Sequence, residues 1–202
     1  MYVCMYVIIT TTTTTTTIGV FVFAHIMPKT DTFFVRVSAQ AETADTFNEV
    51  ELPLGSFVDV MANSVLRILN IEGEWVQGPN GPIPGGAATM DGDKAGYAIW
   101  QLTTQTQTQL LGLDNKQVIA KGTLNARNAD SATNPPSQNY SDSHLPQHYS
   151  EGYLVATESI YLGVQRGDEW TVGDNLAFNM VLECQVEKLD AKKGMALALS
   201  QQ

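Results

Sequence analysis

Apolar and polar positions alternate at period two through most of the chain beyond Met27, and no stretch sustains the three-to-four spacing of a long amphipathic helix. Between Thr32 and Gln40, Phe33, Val35 and Val37 fall on one face and Phe34, Arg36 and Ser38 on the other, which predicts a strand. In VELPLGSFVDV, Pro53 and Gly55 predict an edge, a bulge or a bend before Phe57 to Val60. Ser64 to Ile71 reads as another strand, continuing past Glu72-Gly73 into EWVQ. Tyr97 to Leu111 is expected to form one long strand. Trp100, Leu102, Thr104, Thr106, Thr108 and Leu110 would face one way, and Gln101, Thr103, Gln105, Gln107 and Gln109 would make a wet or interfacial face.

Gln117 to Leu124 supplies a shorter strand, and Tyr153 to Val164 turns Leu154, Ala156, Ile160, Leu162 and Val164 inward. The cleanest alternation is Leu176 to Val186, with Leu176, Phe178, Met180, Leu182, Cys184 and Val186 on the apolar face of a half-buried antiparallel strand. The predicted core therefore holds Ile160, Leu162, Phe178, Met180, Leu182 and Cys184. Residues 78–96 carry six glycines and three prolines and read as an external loop. The stretch 125–152, with Pro135-Pro136, is expected to lie outside the core.

Seven or eight short strands with two long loops predict an all-β fold: an antiparallel β-sandwich, and within that class a single jelly roll. An immunoglobulin-like sandwich fits less well, because its Cys-Trp-Cys constellation is missing. The sandwich is expected over 27–190, and 191–202 forms a C-terminal tail or a short helix weakened by Gly194. Residues 1–26 form an N-terminal extension. Residues 1–28 contain no charged side chain and hold eight consecutive threonines, Thr10 to Thr17, between two short apolar runs. Met27 as the native start is the first reading of this segment and a membrane anchor through 1–26 the second. Cys4 and Cys184 are the only thiols, and each reads more readily as a small hydrophobe than as half of a disulfide.

Composition narrows the function classes. The 202 residues carry 21 acidic against 11 basic side chains, a net charge of -10, and only 16% are charged. A chain this acidic lacks the basic field that phosphate recognition needs, so direct nucleic-acid binding is disfavoured. No GxSxG elbow, HExxH, P-loop or dinucleotide fingerprint occurs, and the expectation is no enzyme, no cofactor and no metal. His144 and His148, with Asp142 and Glu151 near them, have a loop spacing that Pro146 keeps off a helix. Glu72 and Glu74 read as a solvent-facing turn before Trp75 rather than a catalytic carboxylate pair. Arg166-Gly167-Asp168 is an RGD tripeptide in an expected loop, and Asn139-Tyr140-Ser141 is a formal N-glycosylation sequon. Trp75, Trp100 and Trp170 are candidate carbohydrate-stacking residues, with the Gln/Thr face supplying hydrogen bonds; aromatic core anchors are the plainer alternative.

In the style of its segments LGSFVDVMANSVLRILNI, AIWQLTTQ, GYLVATESIYLGV and NLAFNMVLECQVEKL, the chain resembles the single jelly-roll capsid proteins of icosahedral viruses. The resemblance covers most of residues 30–190 and lies in pattern rather than in a residue signature. It implies a self-assembling capsid subunit in a virion, with copies of itself and other virion proteins as partners. The alternative is a carbohydrate-binding β-sandwich that is secreted or displayed at a cell surface, with a glycan as partner. A small-molecule enzyme comes third.

Overall fold

The computed structural model describes residues 3–12, 15–24, 31–59, 61–77, 94–127, 137–170 and 176–201. The chain divides into two compact units, Met1–Asp31 and Thr32–Gln202. In the first, β1 (Val3–Thr12) and β2 (Thr15–Ala24) pair antiparallel in a hairpin whose register runs from Val3 opposite Ala24 to Thr12 opposite Thr15. No helix among the described residues is long and apolar enough to cross a membrane.

The second unit contains β3 (Phe33–Ala41), β4 (Asn48–Pro53), β5 (Ser64–Gln77), β6 (Ala95–Thr103), β7 (Val118–Arg127), β8 (Ser137–Ser143), β9 (Tyr153–Val155), β10 (Ser159–Arg166) and β11 (Leu176–Lys188). One helix, α1 (Ala191–Ser200), follows. The strands form two sheets with orders β4-β10-β6-β7-β8 and β3-β11-β5-β9. The pairings β3 with β11, β4 with β10, β5 with β9 and β6 with β7 are all antiparallel and nested. The chain thus folds back on itself as one long double ribbon, and the nested pairs are dealt alternately to the two sheets. That is the wrapping of a jelly roll, extended here by β8 on the outside of β7.

The alternation explains the layers. Leu176, Phe178, Met180, Leu182 and Cys184 of β11 turn into the space between the sheets and meet Ile160, Leu162 and Val164 of β10 in one buried cluster. Trp100 of β6 stacks on Phe178 with ring centroids 5.0 Å apart, and Trp75 of β5 meets the same ring tilted, at 5.1 Å. Gly73 gives Phe178 its place, since a β-carbon there would enter the phenyl ring. A bulge in β5 shifts its register against β11 between Glu183 and Cys184. Gly152 packs on the Ile68–Leu69 backbone beside it with φ +64°, a close approach in the left-handed region that favours glycine.

Several expectations are corrected. The strand predicted from Tyr97 to Leu111 stops at Thr103, and residues 104–117 fold back over the outer face of the five-stranded sheet. Gln101 directs this return: its Nε2 donates to the Gln109 carbonyl at 3.1 Å and its Oε1 accepts from Leu111 N at 2.8 Å. The Glu49 carboxylate on β4 accepts from Thr106 Oγ1 at 2.6 Å and from Gln107 N at 3.0 Å, so the Gln/Thr face becomes loop backbone held by β4 and β6.

The predicted strand Tyr153–Val164 is two strands in different sheets. The chain breaks at 156–158, Val155 is buried and Leu154 only half-buried. The stretch 125–152, expected outside the core, contributes edge strand β8 and places Leu145 and Pro146 in buried positions. Glu72 and Glu74 lie within β5, not in a turn. Most of the loop expected over 78–96, Pro135-Pro136 and the segment after Trp170 lie outside the described residues.

Candidate assembly surfaces

α1 begins at Asp190, whose side chain caps the helix by accepting from Lys193 N at 2.9 Å. That contact, with the nearby lysine charges, holds the Asp190 carboxyl below its ordinary value. The helix presents Met195 and Leu199, one turn apart on the same side, at 61% and 64% exposure. Gln201 ties its far end to the sandwich. Gln201 Nε2 donates to the Leu154 carbonyl at 2.6 Å, Oε1 accepts from Ala156 N at 2.9 Å, and its backbone oxygen accepts from Thr104 Oγ1 at 2.8 Å. By serving one peptide on either side of Val155, the side-chain amide does for β9 what a residue of a parallel neighbour strand would do. A recess of about 550 Å³ remains between helix and sandwich, lined by Arg67, Lys116, Tyr153, Leu154, Leu197 and Gln201. Arg67 is engaged by Glu187, with Nε 2.6 Å from the carboxylate, and by the Glu151 carbonyl.

β9 is one edge of the four-stranded sheet and β3 is the other. Along β3 the inward side chains change character: Ala39 and Ala41 are buried, whereas Phe33, Val35 and Val37 are only half-covered. Phe34 lies on the outer face at 58% exposure, beside exposed Arg36. Apolar side chains outside the core therefore sit at both edges of one sheet, on β3 and on the helix anchored to β9.

The three tryptophans proposed for sugar stacking are core residues. Trp75, Trp100 and Trp170 are at most 3% exposed, so no indole face is open to a ring, and this expectation is corrected in favour of the core-anchor alternative. Trp170 Nε1 donates to the Tyr97 carbonyl at 2.9 Å. The indole of Trp100 crosses Gly122 and donates to Asp142, which lies two strands away on the same row. The six residues expected in the core, Ile160, Leu162, Phe178, Met180, Leu182 and Cys184, are all buried there.

Arg166 of the RGD tripeptide is also buried. Its Nε donates to the Ala41 carbonyl at 2.8 Å and its Nη2 to the Glu42 carbonyl at 3.0 Å, so the guanidinium is spent on the β3–β4 connection and is unavailable to a receptor. Nearby, Tyr97 donates to Asp45 at 2.8 Å, a bond that, with burial, holds the phenol above its ordinary value. His144 lies 3.3 Å from the Tyr149 hydroxyl through Nδ1, and no cluster of three or more metal-ligating side chains occurs among the described residues. The sequon lies on β8, where Asn139 and Ser141 are exposed.

Sequence reasoning missed the edge positions. Phe34 was visible as an aromatic on the polar face of its alternation, and Met195 with Leu199 as an apolar pair at helical spacing. Nothing local distinguishes Gln201 from any other terminal glutamine.

No protein-family model matches the chain, and no curated protein matches it. Among solved structures it is similar to the VP1 protein of Trichodysplasia spinulosa-associated polyomavirus in complex with GM1 oligosaccharide, at 8% identity and TM-score 0.37 over 81% of this chain and 96% of that one. It is also similar to Merkel cell polyomavirus VP1 in complex with GD1a oligosaccharide, at 8% identity and TM-score 0.38 over 82% and 99% of the two chains. A third similar structure is the unassembled pentamer of Merkel cell polyomavirus VP1, at 10% identity and TM-score 0.36 over 81% and 98%.

Proposed function

We propose that the chain is a structural, self-assembling protein: a capsid subunit that packs with copies of itself, and with other virion proteins, into an icosahedral shell. The observation that carries this reading is the placement of exposed apolar side chains at both edges of one sheet, Phe34 on β3 and Met195 with Leu199 on α1. A subunit of a closed shell needs more than one interface, because a single two-fold contact ends at a dimer. Apolar side chains that are exposed next to one another, as Met195 and Leu199 are on α1, form the kind of surface that partners cover. The net charge of -10 fits a shell component better than a protein that packages a genome. Fold alone does not decide function, and the reading rests on the edges rather than on the jelly roll.

Light scattering on the full chain over a concentration series, followed by electron microscopy, tests it. A discrete higher oligomer or closed particle is the expected result. A strictly monomeric protein throughout the series overturns the reading.

A further inference from the structure

The proposed shell leaves open which surfaces of the subunit meet. Among the described residues β3 pairs only with β11, so its other flank carries a row of unpaired peptide groups. Natural edge strands are commonly protected by proline, charge or brevity. β4, the edge of the other sheet, has Glu49, Glu51 and Pro53 in six residues. β3 is nine residues long, reads FFVRVSAQA, has no proline and carries one charge. Its open part is well defined, because Phe33, Val35 and Val37 are half-covered while Ala39 and Ala41 are buried. The exposed flank is thus centred on Val35.

We propose that two copies pair through this edge, β3 antiparallel to the partner's β3, about a two-fold axis beside Val35, so that each four-stranded sheet continues into the next. The proposal deepens the self-assembly reading and rests on it. The centre at Val35 sets the register, and the register is self-complementary. Val35 meets its own copy, and Phe33 lies opposite the partner's Val37, so the half-covered inward row of one copy completes that of the other. On the outer face Phe34 lies opposite the partner's Arg36 and Arg36 opposite the partner's Phe34, two cation–aromatic pairs related by the axis. Thr32 and the partner's Ser38 end the ribbon, and Thr32 is already held by Gln185 Nε2 at 3.0 Å. No like charges face one another. A slip of one residue would put half-covered apolar side chains opposite exposed ones, which the pleat forbids.

The partner chosen is a second copy because the strand complements itself in both rows. The test uses the full chain, read by light scattering over a concentration series, with melting temperature as the folding control. Both outer-face positions are exposed, so at concentrations below the wild type's assembly midpoint Phe34→Arg and the exchange Phe34→Arg with Arg36→Phe should melt as the wild type does. Phe34→Arg sets two guanidinium groups against each other and should raise the midpoint of assembly at least about tenfold. The double exchange restores an aromatic opposite each arginine and should return the midpoint to within about threefold of wild type.

If the wild type assembles and Phe34→Arg assembles equally well, this surface is wrong while the self-assembly reading stands. If Phe34→Arg is impaired and the double exchange does not recover, the register is wrong and the proposal falls. Slow amide exchange along Phe33–Val37 at concentrations where the chain is monomeric would show the edge covered by the chain itself, and would also overturn it. A wild type that is monomeric throughout removes both readings.

Discussion

The side-chain amide of Gln147 pairs with both backbone groups of Ile71: Oε1 accepts from Ile71 N at 3.1 Å and Nε2 donates to the Ile71 carbonyl at 2.9 Å. Two residues facing each other in an antiparallel ladder exchange the same pair of bonds. β9 reaches β5 only at Leu66 to Ile68, and Gln147 satisfies the edge just beyond it. Gln201 does the corresponding work on β9 itself. On this side of the sheet two glutamine side chains occupy positions that a neighbouring strand would otherwise fill, which leaves β3 as that sheet's open edge among the described residues.

Gln147→Ala should remove both bonds and cost about 1–3 kcal/mol, at roughly 0.5–1.5 kcal/mol for each bond lost. Hydrogen exchange at the Ile71 amide should accelerate more than at Ile68, whose strand pairing is intact. Equal protection of Ile71 in variant and wild type would show that the amide was not its partner.

Burial holds the Asp142 carboxyl above the ordinary carboxylate value, and the Trp100 indole N–H together with the electrostatic attraction of His148 pulls it partway back. A carboxyl that binds its proton more tightly in the folded chain lends stability that is fully present below the unfolded value. That contribution is lost as pH rises through the folded one. Asp142→Asn keeps an oxygen for the indole and removes the charge, so its stability relative to wild type should grow as pH rises from the acid range, where the carboxyl is neutral, to neutrality. NMR titration should also find Asp142 displaced further upward in Trp100→Phe. No displacement would separate the indole from the carboxylate.

Leu182 sits fully buried at the centre of β11, paired with Ile71 on one side and Val35 on the other. Leu182→Ala should cost about 2–5 kcal/mol in denaturant unfolding, as other buried leucines do. Leu182→Asp, which also buries a charge, should cost more. A loss below about 1 kcal/mol for the alanine variant would mean the site is loosely packed.

The Cys184 thiol is pushed up to about 12 by burial, with the charge of Glu183 adding to the effect. Only the thiolate reacts, so the peptide containing Cys184 should remain unlabelled by iodoacetamide in the folded chain at pH 8 and be labelled completely after unfolding, ~ four pH steps below that value. Mass spectrometry of the digested protein distinguishes the two, and rapid native labelling would contradict the burial.

The run from Leu176 to Val186 determined its own strand and its own inward face, because a strict period of two has one way to lie between apolar and wet surroundings. The same logic made the sandwich, the pairing faces of β3 and the burial of Ile160 and Leu162 legible before any partner was known. The Gln/Thr alternation after Thr103 was locally as regular, yet it became a folded loop. The deciding groups were Gln101 and Glu49, and Glu49 lies 57 residues before Thr106 in the chain. The tryptophans were equally ambiguous: an indole serves a core or a sugar, and only the stacking of two sheets around Phe178 placed Trp75 and Trp100 inside. Arg166 looked like a displayed charge until the β3–β4 connection supplied the carbonyls that hold it. Side-chain periodicity records which way each residue of a strand faces. Which strand lies beside it, and therefore which edge stays open, depends on contacts between residues far apart in sequence and was decided only by the tertiary fold.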